Sequence, residues 1–228
     1  MVVFILAGGV GSRLQSVVKD VPKPMADING TPFLDYLIAH IRQYFDCKIY
    51  LLTHYLSDLI EEYYQDDRMI QIIREPRKLG TGGAIKHAIQ HLNLDSHEPI
   101  LIFNGDTFTN LPLDQFVSYS NESQLVIAST SVENSGRYGT IETSETNQII
   151  GFKEKTNQNI PGYINTGAYY LPRSKFVLTI PGSEFSFEDQ LVEWVSQNKQ
   201  IVSFFYDGSF IDIGVPDDYF RMIEFIKL

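Results

Sequence analysis

The stretch Val2-Val3-Phe4-Ile5-Leu6-Ala7-Gly8-Gly9-Val10-Gly11-Ser12-Arg13-Leu14 decides how this chain is read. Its first five residues are apolar and include the β-branched Val2, Val3 and Ile5, the length and composition of a buried strand. The run empties into a loop in which Gly8, Gly9 and Gly11 lack the Cβ that keeps backbone N–H groups away from an anion. A strand ending in such a loop can cradle a phosphate. Arg13, and Lys23 in the following Val21-Pro22-Lys23-Pro24-Met25, supply cations to neutralise it. A dinucleotide fingerprint would want a third glycine where Leu14 stands, and an NTPase P-loop would end in Gly-Lys-Ser/Thr. Taken alone, the stretch also fits an ordinary glycine-rich turn.

Working outward, 228 residues of which 43% are hydrophobic can bury a full core, and this length suits one α/β domain. Within it, residues 1–110 read as a nucleotide-binding part and residues 111–228 as a second part. A net charge of −10 argues against a nucleic-acid surface, which draws its affinity from clustered Lys and Arg. Small phosphates need only a few local cations, and Arg13, Lys19, Lys23, Arg74, Arg77 and Lys78 gather around the glycine motifs. The last three fit a solvated loop rim equally well. Apolar runs such as Val2 to Ala7 are too short to span a bilayer, and the N-terminus has no basic leader. The expectation is a soluble, cytoplasmic protein with neither nucleic acid nor membrane as partner. The lone Cys47 excludes a disulfide framework, offers no zinc spacing, and reads as a small buried residue.

Short apolar strands alternate with amphipathic helices through the first half. Strands are expected at Val2 to Leu6, Lys48 to Thr53, Ile70 to Arg74 and Pro99 to Asn104, and helices at Phe33 to Phe45, Ser57 to Tyr64 and Gly83 to Leu92. Such winding predicts an α/β fold with a doubly wound, mostly parallel sheet, Rossmann-like in character. After Asp106 the pattern turns to strands at Leu125 to Thr130, Tyr138 to Glu142, Ile149 to Lys153 and Tyr163 to Tyr170, a mixed-sheet insertion. A helix near Phe187 to Gln197, a strand-like run from Ile201 to Phe210 and a helix over Pro216 to Leu228 complete the chain.

Ligands of doubly wound sheets sit beyond the carboxyl ends of the strands, where further motifs fall. Leu79-Gly80-Thr81-Gly82-Gly83-Ala84 precedes a helix, so free N–H groups at its positive end could meet a ribose or phosphate; a tight turn with Thr81 as N-cap is the alternative. Phe103-Asn104-Gly105-Asp106-Thr107 ends a buried strand in a carboxylate, a perch for Mg²⁺ or a simple Asx-turn. Asp212 in Phe210-Ile211-Asp212-Ile213-Gly214 would be the second perch. Glu154 and Lys155 in Gly151 to Lys155 could donate to and accept from a hydroxyl-rich ligand, or line a solvated hairpin. Ser186-Phe187-Glu188-Asp189 reads as a helix N-terminus, and Trp194, Phe204, Phe205 and Tyr206 as core.

The combination LAGGxGxRL then PKPM, with LGTGGA, NGDT, GFKEK, INTGAYY and FIDIG in order from Leu6 to Tyr219, resembles the sugar nucleotidyltransferases, the sugar-1-phosphate pyrophosphorylases. VPKPMA, EPRKLGTGGAIK and NGDTF look most like the branch acting on D-glycero-α-D-manno-heptose 1-phosphate with guanylyl transfer, with mannose 1-phosphate guanylyltransferases close behind. The resemblance implies a nucleotide site built from Leu6, Ala7, Gly8, Gly9, Gly11, Ser12, Arg13, Glu75, Gly80, Thr81, Gly82, Asn104 and Gly105. It implies that Arg13 and Lys23 act on the phosphates and that Asp106 and Asp212 hold Mg²⁺. Gly139, Glu154, Lys155, Asn165 and Thr166 would contact the sugar. The implied substrates are a nucleoside triphosphate, GTP foremost, and a sugar 1-phosphate, with pyrophosphate released and GDP-heptose made for polysaccharide assembly. Glu75 would read the base, because a carboxylate only accepts and guanine offers adjacent N1–H and N2 donors.

Three other readings compete. A metal-dependent glycosyltransferase would usually carry Asp-x-Asp where Asn104-Gly105-Asp106 stands. A non-catalytic homologue would lose Arg13, Lys23, Asp106 or Asp212, all of which are present. A phosphocholine-type cytidylyltransferase would need an aromatic cage in place of Glu154 and Asn165. UTP, dTTP or CTP users with other hexose 1-phosphates remain alternatives in specificity.

Overall fold

The computed structural model describes residues 1–121, 123–153 and 160–227. In chain order its strands are β1 (Val2–Leu6), β2 (Asp27–Ile28), β3 (Thr31–Pro32), β4 (Ile49–Thr53), β5 (Ile70–Arg74), β6 (Ile100–Asn104), β7 (Thr107–Thr109), β8 (Leu125–Val132), β9 (Thr140–Thr143), β10 (Ile149–Lys153), β11 (Gly162–Leu171), β12 (Ile201–Phe205) and β13 (Phe210–Asp212). The helices are α1 (Phe33–Arg42), α2 (Ser57–Tyr64), α3 (Gly80–His91), α4 (Leu113–Ser118), α5 (Lys175–Leu178), α6 (Phe187–Ser196) and α7 (Pro216–Phe225). β1, β5, β10 and α2 coincide with their expected spans. The run Ile201 to Phe210, expected as one strand, is broken between β12 and β13, where Asp207-Gly208-Ser209 supplies turn-forming residues. Short ribbons such as β2–β3 escape any periodicity argument because they offer too few residues to alternate.

Contacts divide the chain into two compact units. One holds Val2–Lys78, Phe103–Asn110 and Ser209–Leu228; the other holds Met1, Leu79–Ile102 and Leu111–Gly208, so β6 is divided between them. In the first unit β1, β4 and β5 run parallel, with Val3 opposite Ile49 and Ile49 opposite Ile70. Val3, Phe4, Ile5, Leu51 and Leu52 are all buried, the near-continuous apolar signature of a parallel strand. In the second unit β8 pairs with β12 in parallel and with β11 antiparallel, placing Val126 opposite both Val202 and Tyr170. Strand order is β6–β1–β4–β5 in the first unit and β12–β8–β11–β6 in the second. The α/β class and the mostly parallel, mixed sheet are therefore observed, with β11 antiparallel to β8.

One core in the first unit explains how its functional loops are held. Leu14, Ala26, Ile28, Phe33, Ile211, Ile213 and Met222 pack together and are buried. Leu14 follows Arg13, Ala26 closes the single 3-10 turn Lys23–Met25, and Ile211 and Ile213 flank Asp212. Ile211 on β13 and Ile213 just beyond it are buried on either side of Asp212, whose side chain stays partly exposed. Each buried isoleucine contributes about 1.5–3 kcal/mol, so the anchoring of the loop, the lysine turn and the aspartate strand is shared.

Candidate active site

The glycine loop leaves the sheet at a point where two backbones meet closely. Ala7 N–H donates to Leu52 O at 2.8 Å and Gly105 N–H donates to Leu6 O at 2.9 Å. A Cβ on Gly105 would lie 2.6 Å from that same carbonyl, so only glycine lets the end of β6 approach β1 this way. Gly9 is open and exposed, whereas Gly11 adopts φ +63° and lies so close to Lys23 that a Cβ would sit 2.8 Å from the lysine's own. Leu14 N–H closes a turn onto Gly11 O at 2.9 Å, and Ser12 and Arg13 on that turn are exposed.

Lys23 reaches from its turn to two carboxylates far away in sequence. Its Nζ lies 2.5 Å from Asp106 Oδ2 and 3.4 Å from Asp212 Oδ1. The side chain of Lys23 is 9% exposed against 36% and 22% for the aspartates, so the ammonium is covered and the carboxylates keep an open side. The antiparallel ribbon β7–β13 brings the acids together: Asp212 pairs with Thr107, and Ile213 N–H donates to Asp106 O at 3.0 Å. Gly214 N–H fixes Asp212 Oδ1 at 2.7 Å, and Thr107 Oγ1 donates to Asp106 Oδ1 at 3.3 Å. Sequence reasoning did not single out Thr107 or Gly214, though Gly214 stands two residues after Asp212 in a DIG triplet that a ring-closing backbone donor would favour.

This donor set fits a hard divalent cation. Among the described residues no group of three or more His, Cys, Asp or Glu gathers, so an ion here would take two carboxylates and complete its shell with water and phosphate oxygens, the habit of Mg²⁺.

Glu75 follows β5, its N–H donating to Thr53 O at 2.8 Å, and the residue is 8% exposed. Its Oε1 would be 2.6 Å from a Cβ on Gly8, so the carboxylate is pressed against the glycine loop and does not extend from a wet rim. Asn104, at the end of β6, has a buried Oδ1 without a hydrogen-bond partner. An acceptor left so costs about 1–3 kcal/mol, which a ligand donor would relieve. Arg74 is turned elsewhere, paired with Asp58 and Glu61 of α2.

The second unit corrects the expectation of free N–H groups at the start of α3. Gly82 and Gly83 N–H both donate to Phe185 O, at 3.0 and 3.2 Å, and Phe185 N–H returns a bond to Leu79 O. Those bonds let α3 begin at Gly80 with φ +75°, three residues ahead of the expected start. Thr81 is not the N-cap: its hydroxyl donates to Glu188 Oε2 at 2.7 Å and accepts from Phe187 N–H at 2.8 Å. Ser186 does cap α6, accepting from Asp189 N–H.

Of the expected sugar contacts, Glu154 and Lys155 lie outside the described residues. Asn165 is on β11, its Oδ1 accepting from Gly167 N–H and its Nδ2 donating to Tyr169 Oη, both at 2.9 Å. The Thr166 hydroxyl is buried and donates to Ala128 O of β8 at 2.9 Å. Gly139 takes φ +71° beside Tyr138, over whose ring the Arg137 guanidinium lies. Trp194 is core as expected, but Phe204 and Phe205 are half-buried against Tyr119 and Tyr163. Cys47 is likewise half-buried, and burial pushes its thiol above the usual pKa.

The family profile described as Nucleotidyl transferase matches residues 2–227. The chain belongs to that family. Within it, the chain is 36% identical to D-glycero-alpha-D-manno-heptose 1-phosphate guanylyltransferase of Campylobacter jejuni, with 98% of this chain and 99% of the relative covered. It is equally 36% identical to the enzyme of the same name from Aneurinibacillus thermoaerophilus, covering 96% and 95%. A crystal structure of HddC from Yersinia pseudotuberculosis complexed with GMP-PN superposes with a TM-score of 0.85 at 34% identity, covering 98% of each chain. Family membership agrees with the order of motifs from the first glycine loop to Asp212.

Proposed function

We propose that this nucleotidyltransferase joins GTP to D-glycero-α-D-manno-heptose 1-phosphate, giving GDP-heptose and pyrophosphate. The observation that carries the reading is the cluster of Lys23, Asp106 and Asp212 in the same compact unit as the glycine loop. The similarity to two heptose 1-phosphate guanylyltransferases over nearly the whole chain supports the choice of base and sugar.

A phosphate oxygen of the sugar 1-phosphate attacks the α-phosphorus in line; the bond to the bridging oxygen breaks, and its electron pair leaves with pyrophosphate. Such transfers rest on positioning and charge neutralisation and need no covalent nucleophile, in keeping with the residues found here. The backbone of Leu6 to Gly11 lies along the triphosphate, with Arg13 and Lys23 holding its charge. Asp106 and Asp212 would hold Mg²⁺, which would supply electrophilic stabilisation of the developing negative charge. Glu75, pressed against Gly8, accepts from the guanine edge. Asn165 has one N–H left beyond its bond to Tyr169, and that donor grips a sugar hydroxyl.

The test is pyrophosphate release across a matrix of GTP, UTP, dTTP and CTP against heptose, mannose and glucose 1-phosphates. GTP with the heptose should give the highest kcat/KM. A best pair with mannose 1-phosphate would move the sugar assignment, and a best pair with a pyrimidine nucleotide would overturn the base assignment.

A further inference from the structure

We propose that the Lys23 ammonium is a stand-in for the metal. Without nucleotide it occupies the cation position between Asp106 and Asp212, and the ion gains both carboxylates only when a triphosphate draws the lysine away. The idea rests on the assignment of Asp106 and Asp212 as metal ligands, and it goes beyond that assignment by making metal binding conditional on nucleotide.

The lysine lies in a slot shaped for it. A Cβ on Gly11 would come 2.8 Å from Lys23 Cβ and 3.4 Å from its Cγ and Cδ, and a Cβ on Gly214 would come 3.2 Å from Nζ. One glycine admits the stem and the other admits the tip. Pro22 and Pro24 restrict the turn that carries the residue, while the four-carbon stem keeps its rotations, so the ammonium can swing from a fixed base.

Two carboxylates placed side by side repel each other, and the ammonium at 2.5 and 3.4 Å removes that cost. A divalent ion needs the same oxygen lone pairs. Two cations cannot share them without repulsion, so an arriving ion must displace a covered, hydrogen-bonded ammonium. A triphosphate changes the balance by offering the lysine another anion. Lysine transfer then couples the two ligands: whatever nucleotide does for metal affinity, metal does equally for nucleotide affinity.

The experiment uses the full chain without nucleotide and Mn²⁺ as the probe, with free ion followed by electron paramagnetic resonance. Wild type should bind weakly, and Lys23→Gln and Lys23→Met should each bind at least about tenfold tighter, because a competing charge has been removed. Adding Asp106→Asn to Lys23→Gln should erase the gain. Neutral variants that bind no tighter than wild type would overturn the proposal. Asp106→Asn in the wild-type background separates the two ideas. If that variant keeps its Mg²⁺-dependent turnover, the ligand assignment fails whatever the lysine does; if turnover is lost but the Lys23 variants show no gain, only the stand-in role fails. Should both Lys23 variants prove unfolded in a melt, the wild-type Lys23 side-chain ¹⁵N signal decides: it should stay in place on adding Mg²⁺ alone and move on adding GTP. Movement with Mg²⁺ alone would overturn the proposal.

Discussion

Glu75 and Gly8 are in mutual contact: the carboxylate Oε1 stands 2.6 Å from where a Cβ on Gly8 would be, next to the first glycine loop. A buried acceptor there favours a base that presents two donors and disfavours uracil or thymine, whose carbonyls would face it. Glu75→Gln should therefore lower kcat/KM for GTP and relax selectivity toward UTP, with the GTP/UTP ratio falling by about tenfold or more. An unchanged ratio in competition assays would remove Glu75 as the reader.

Asp212→Asn keeps the Oδ1 that accepts from Gly214 N–H while deleting the charge, so it tests electrostatics with little cost to the fold. Turnover should drop by at least about a hundredfold, since metal stabilisation is worth several kcal/mol. Asp106→Asn should match it. Pyrophosphate release measured alongside melting curves checks both; a normal rate in either variant at limiting Mg²⁺ sinks the ligand assignment.

Gly82→Ala places a methyl 2.1 Å from the Phe185 ring. Overpacking of that kind costs about 1–3 kcal/mol, so the melting temperature should fall by roughly 2–4 °C for each kcal/mol. Phe185→Leu, which withdraws the ring, should restore part of the loss. Equal stability of Gly82→Ala and wild type would contradict the packing of the second glycine loop.

Alkaline pH tests a cluster away from the site. Tyr63 and Tyr64 both donate to Asp35, at 2.7 and 2.6 Å. The hydrogen bond to Asp35, then burial, pushes Tyr63 up to about 12. Tyr64 is raised too, by burial first and then by the same carboxylate. A phenol whose folded pKa is raised stabilises the fold fully below its unfolded pKa near 10 and loses that contribution as pH climbs through the folded value. Stability should thus decline above about pH 10, and Asp35→Asn should bring tyrosinate absorbance on at lower pH. A variant that titrates as wild type does would refute the arrangement.

Lys23, Asp106 and Asp212 are legible in sequence because charged residues directly after apolar strands or between prolines stand out by type. Their union is not, since the lysine meets Asp212 across 189 positions and through a three-residue ribbon too short to show alternation. Thr81 shows a second limit. Local propensity makes it an N-cap, but Phe187 N–H and Glu188 offer its hydroxyl better-placed partners, so tertiary contacts override the local preference. Thr166 is similar in that nothing local reveals that Ala128 O will take its hydroxyl proton.

The ribbon in which Asp212 pairs with Thr107 also sets a time at which the two carboxylates come together. During synthesis the glycine loop and Lys23 leave the ribosome first, and Asp106 follows well before Asp212. Until the later strand has emerged and closed on the earlier one, the lysine faces a single acid and no pair of oxygen donors exists. Long-range pairings of this kind form late, after the chain between them has been ordered. A growing chain therefore presents its glycine loop before the two carboxylates can meet. Products that end before Phe210 would lack the strand that brings Asp212 to Lys23 and Asp106.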